Sequence, residues 1–80
     1  MFDIGDKVRM SAIGKHRYFP SSSNPHDDVG IVSYLHEDEE DYNDGDDWYR
    51  YEVTWSSGIS NSYREVDIEY ATFPKLEEFI

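Results

Sequence analysis

Five short runs alternate apolar and polar residues with a period of two, the pattern of half-buried β-strands. In residues 7–13, Val8, Met10 and Ala12 face one way and Lys7, Arg9 and Ser11 the other. Residues 29–35 are rich in β-branched side chains around Gly30-Ile31-Val32. Residues 48–55 alternate most cleanly, with Tyr49, Tyr51, Val53 and Trp55 against Trp48, Arg50, Glu52 and Thr54. Residues 59–64 form the fourth run, and in residues 66–70 Val66, Ile68 and Tyr70 alternate with Asp67 and Glu69.

The punctuation between the runs agrees with this division. Ser56-Ser57-Gly58 predicts a short hairpin turn, with Gly58 free to take a positive φ. Asn43-Asp44-Gly45-Asp46 predicts the tip of a longer hairpin joining the second and third strands. Residues 14–28, with Pro20, Pro25 and the string Ser21-Ser22-Ser23-Asn24, predict a long loop. Loops of that length are uncommon in compact domains and are usually functional or mobile. Near the end, Pro74 suits a first helical turn, and Leu76, Phe79 and Ile80 follow at i, i+3 and i+4. That spacing predicts a short C-terminal helix or 3₁₀ turn over 73–80.

The motifs within these runs resemble a known type. Gly5-Asp6-Lys7-Val8-Arg9 and Val29-Gly30-Ile31-Val32 are followed by Tyr51-x-Val53-x-Trp55-x-x-Gly58-x-x-Asn61-x-Tyr63-Arg64-x-x-Asp67-Ile68. The series resembles the SH3-like barrel repeats of the Mind bomb/HERC2 type and, more loosely, Tudor and KOW barrels. It covers roughly residues 5–70, with insertions at 14–28 and 36–47. The resemblance implies an all-β fold, a small five-stranded SH3-like barrel. The motifs are mostly structural, so they carry fold further than function.

Length agrees with one domain over residues 1–80 and no second core. With no cysteine, disulfides and thiolate metal sites are excluded, and 13 aromatics supply the large burial a small core needs. The N-terminus shows neither a basic nor an apolar targeting segment, and no apolar stretch is long enough to span a bilayer. A cytoplasmic protein without membrane contact is the expectation.

Charge adds the functional direction. The formal net charge is −11, and eight of the eleven residues from 37 to 47 are acidic: Glu37, Asp38, Glu39, Glu40, Asp41, Asp44, Asp46 and Asp47. Residues 1–26 carry four cations against two acids, +2, and residues 27–80 carry three against sixteen, −13. Direct nucleic-acid binding needs a basic stripe and is disfavoured. Trp48 and Tyr49 follow the acids immediately, and a Trp on a polar strand face is often an interface anchor.

No catalytic constellation emerges. His16, His26 and His36 are scattered and no Gly-x-Ser-x-Gly elbow exists, so a non-enzymatic module without cofactor is expected. Register against a calcium-binding loop fails as well. With Gly45 at position 6, Tyr42 falls at position 3 and Tyr51 at position 12, where acids belong.

The sequence therefore predicts a protein-interaction module. Its binding residues are Glu37, Asp38, Glu39, Glu40, Asp41, Asp44, Asp46, Asp47, Trp48 and Tyr49, and its partner is a basic protein surface. Glu65, Asp67 and Glu69 along one strand face extend the acidic surface. Alternate strand residues recur every 6.6–6.8 Å or so, close to phosphate spacing. A phage-encoded DNA mimic that inhibits a host nucleic-acid enzyme is the sharper form of this reading. The alternative is a reader of cationic or methylated peptides, in which Tyr34, Trp48, Tyr49 and Tyr63 form an aromatic cage with Glu52 or Asp47.

Overall fold

The computed structural model describes residues 1–37, 43–44 and 47–71. Along the chain run β1 (Lys7–Met10), α1 (Ala12–Arg17), β2 (Gly30–Leu35), β3 (Asn43–Asp44), β4 (Asp47–Trp48), β5 (Tyr51–Trp55), β6 (Ser60–Tyr63), a 3₁₀ turn (Glu65–Asp67) and β7 (Ile68–Tyr70). Five strands form one antiparallel sheet in the order β6-β5-β2-β1-β7, and β3 and β4 form a separate two-stranded ribbon. Among the described residues no ladder joins β6 to β7. The sheet is therefore open, where the sequence had suggested a closed barrel.

The core follows the alternation. Val8 and Met10 from β1, Val32 from β2, Tyr51, Val53 and Trp55 from β5, Tyr63 from β6 and Ile68 from β7 are all buried, joined by Phe2. Each such side chain contributes on the order of 1.5–3 kcal/mol on leaving water. A bulge between Val32 and Tyr34 breaks the register of β2 against β5 and turns both Ser33 and Tyr34 to solvent. Gly30 lets β5 approach closely, since a Cβ there would lie 2.4 Å from Val53 Cγ1 and 2.8 Å from Trp55 Cε3.

Three local expectations are corrected. Strand one stops at Met10, and residues 12–17 are helical where strand and loop were expected. Ser11 decides this: its backbone N–H donates to Asp67 O at 2.9 Å, and its Oγ caps the helix by accepting from Gly14 N–H at 3.1 Å. Ala12, expected to face the core, is exposed. The third run is split, with β4 ending at Trp48 and β5 beginning at Tyr51. The last run keeps Ile68 buried but departs from the alternation at its start. A 3₁₀ turn over Glu65–Asp67 leaves Val66 exposed and drives Asp67 inside, where no solvent reaches it. Three residues per turn cannot preserve a two-residue alternation. The helix or turn expected over 73–80 lies outside the described residues.

Candidate interaction site

Asn43–Asp44 and Asp47–Trp48, in and beside the acidic segment, form a two-stranded ribbon. β3 and β4 pair antiparallel, Asn43 opposite Trp48 and Asp44 opposite Asp47, and the expected tip at residues 45–46 lies outside the described residues. Of the expected binding residues, Glu37 is exposed where β2 ends, and Trp48 and Tyr49 are half-buried at the ribbon's root. Asp44 and Asp47 take part in the pairing. Asp38, Glu39, Glu40, Asp41 and Asp46 lie outside the described residues.

Two arginines rig the root. Arg50 stands over the Trp48 ring, 5.1 Å from its centroid, and 5.7 Å from the centroid of Tyr51. Arg17, at the end of α1, stands 5.7 Å from the centroids of both Tyr49 and Tyr18, and its Nη2 donates to Tyr49 Oη. Each cation–π contact contributes on the order of 0.5–1 kcal/mol at a partly exposed site. Helix and ribbon root are thereby joined. Trp48 Nε1, Arg50 Nε and Tyr51 Oη are buried and have no hydrogen-bond partner among the described residues.

The outer sheet face continues from the root. His36 N–H donates to Arg50 O at 2.8 Å, extending the β2–β5 ladder toward the ribbon. The His36 ring meets Tyr34 edge-on at 4.9 Å, and its Nε2 lies 3.2 Å from Ser62 Oγ and 3.5 Å from Glu52 Oε1. Tyr34 and Glu52 are register partners on this face, and Tyr34 is 54% exposed.

The aromatic cage does not assemble from its four expected walls. Tyr63 is fully buried: its ring packs edge-on against Tyr18 and Trp55, and its hydroxyl accepts from Trp55 Nε1 at 3.1 Å and donates to Asn24 Oδ1 at 2.6 Å. Burial, the first cause, lifts the Tyr63 phenol above its ordinary pKa, against the opposing hydrogen bonds of Trp55 and Asn61. The acidic row of Glu65, Asp67 and Glu69 fails for a similar reason, because Asp67 is inside and Glu69 is paired with Arg9 at 2.6 Å.

Sequence reasoning missed the two arginines and the inner polar network. Asp67 accepts from Arg64 Nη2 at 2.7 Å, from Arg64 Nε and backbone N–H at 3.1 Å each, and from Tyr18 Oη at 3.0 Å. The legible signal was the Arg64-x-x-Asp67 spacing within the motif series, which does not by itself reveal that the pair is buried.

Comparison with known proteins bears on the fold. No family model matches the sequence, and no curated protein matches it. Among solved structures, the NMR structure of Bacillus subtilis protein YorP is similar, with a TM-score of 0.58 at 16% identity, over 92% of this chain and 74% of that one. At that identity the likeness extends to the fold, a small five-stranded antiparallel β-sheet. Among the described residues, no helix is long and apolar enough to cross a membrane.

Proposed function

We propose that this domain is a non-enzymatic interaction module that docks its acidic hairpin on a basic protein surface. The observation that carries the reading is the ribbon root. The densest run of carboxylates in a chain of charge −11 leads into paired strands, and Arg17 and Arg50 hold the aromatic residues at their base. Holding a charged element on a rigid sheet reduces the ordering cost of association. Carboxylates on such an element steer encounter with a cationic partner and make it salt-sensitive.

A nucleic-acid-binding protein is the partner class such a surface fits, because its phosphate groove accepts a row of carboxylates. With Asp67 buried, mimicry of phosphates rests on the hairpin alone. The fold reading supports this use. The order β6-β5-β2-β1-β7, with a 3₁₀ turn before the last strand, supports assignment to the SH3-like type, with the ribbon inserted between β2 and β5. The methylated-cation alternative is weaker, since Trp48 and Tyr49 already stack on the chain's own arginines and Tyr63 is inside.

Cross-linking of the protein to partners captured from its own cell extract tests the proposal. It predicts cross-links concentrated in residues 37–49 and partners with a basic surface. Capture of acidic or neutral partners through the opposite end of the sheet contradicts it.

A further inference from the structure

An open cleft of about 230 Å³ lies where β1, α1 and the loop entering β2 meet. Water takes about 30 Å³ per molecule in the liquid, so the cleft has room for a ligand of several heavy atoms. It lies below the ~300–1,000 Å³ range of pockets for drug-sized ligands.

The charged groups lining it differ in what already holds them. Asp28 is committed: one oxygen accepts from Val29 N–H at 2.8 Å, the other from Ser56 N–H at 3.2 Å and Ser56 Oγ at 2.7 Å. The Ser56 hydroxyl chiefly holds this carboxyl below its ordinary pKa. Arg9 is oriented by Glu69, whose carboxylate accepts from its Nε at 2.6 Å. His26 Nε2 lies 2.7 Å from the carbonyl oxygen of Tyr18. A carbonyl only accepts, so the proton sits on Nε2 and fixes the ring.

Lys15 and Asp27 are different. They line the same cleft, make no ion pair with each other, and have no other ion-pair partner among the described residues. The cleft thus carries an ammonium and a carboxylate that do not meet, and one molecule bearing both charges can engage both. The remaining wall is apolar, formed by Val29, which is 46% exposed, and Ala71.

We infer that the cleft binds a small zwitterion of the α-amino-acid class. The ligand carboxylate lies on Lys15, its ammonium on Asp27, and a short aliphatic side chain against Val29 and Ala71. The site does not use the acidic hairpin and is independent of its role.

NMR titration of the whole protein with valine, and with acetate and methylammonium as half-ligands, tests the inference. Valine is expected to give saturable shifts at the amides of Arg9, Lys15, Asp27, Val29 and Ala71, and neither half-ligand to saturate at the same concentration. Lys15→Gln and Asp27→Asn alter exposed side chains without disturbing the sheet, and each is expected to weaken valine binding by about fivefold, the scale of one exposed charge contact. Absence of saturable shifts overturns the inference. So does acetate matching valine, or valine binding unchanged in both variants.

Discussion

The hydroxyl of Tyr18 donates to the buried carboxylate of Asp67 across 3.0 Å, tying the end of α1 to the turn that precedes the last strand. Asp67 also gathers three donors from Arg64, so its lone pairs are satisfied without water. These two residues join segments far apart in the chain, and Arg17, next to Tyr18, stands beside the ribbon root.

Asp67→Ala is expected to cost about 3–5 kcal/mol, because it strands several donors around a dry site. Tyr18→Phe removes a single donor, and its expected cost is about 1 kcal/mol. Urea unfolding of the two variants measures both. Equal costs contradict a network centred on the Asp67 carboxylate.

Stability is expected to fall in alkali before the chain is otherwise damaged. Burial, then the Asp67 charge and hydrogen bond, push the Tyr18 phenol well above its ordinary pKa, and burial raises Tyr63 too. A phenol whose folded pKa exceeds its unfolded one stabilises the fold fully below the unfolded value, near 10. That contribution is lost as pH rises through the folded value, since the unfolded chain releases its proton first. Unfolding free energy measured from pH 8 upward should hold level with respect to these groups and decline from about pH 10. Tyr18→Phe should make the decline shallower.

Gly14→Ala reverses the usual effect of that change. In a helix, alanine is favoured over glycine by about 1 kcal/mol. Here the new Cβ would lie 2.2 Å from the carbonyl oxygen of Asp67 and 2.7 Å from Met10 Sδ, and backbone cannot give way cheaply. A lowered melting temperature is the expected outcome, and a raised one contradicts the close packing of α1 on the 3₁₀ turn.

The alternation of Tyr51, Val53 and Trp55 was legible because a strand with one buried face must repeat every two residues. The motifs around them turn out to be structural. Gly5 and Gly58 take φ of 98° and 93°, Gly30 admits β5, and Arg64 holds Asp67. What the pattern concealed lay where alternation stops carrying information. Ser11 caps a helix of six residues, too short to show a 3.6-residue period, and a single 3₁₀ turn exchanged Val66 and Asp67 ahead of the last strand. At the candidate site, the acids and Trp48 were legible from composition. Arg17 was not, because nothing local connects it with Tyr49, 32 residues away.

Trp55 and Trp48 are expected to respond differently to truncation. Trp55 is 2% exposed and bonded to Tyr63, so Trp55→Ala is expected to cost about 3–5 kcal/mol, a large share of a small domain's stability. Trp48→Ala should leave the sheet folded while raising the partner's dissociation rate, with a loss on the order of 2 kcal/mol if it anchors the interface. Circular dichroism and dissociation kinetics distinguish the two roles. Unfolding by Trp48→Ala contradicts them.

The most direct test is the affinity of a captured basic partner for the parent protein and for a variant with Glu37, Asp38, Glu39, Glu40 and Asp41 replaced by Gln or Asn. The variant should fold at least as stably, since these like charges repel one another. At low salt its association rate should fall severalfold with little change in dissociation, and added salt should narrow the difference. Binding by the neutralised variant at the parent's rate in low salt would contradict the proposed role of the hairpin.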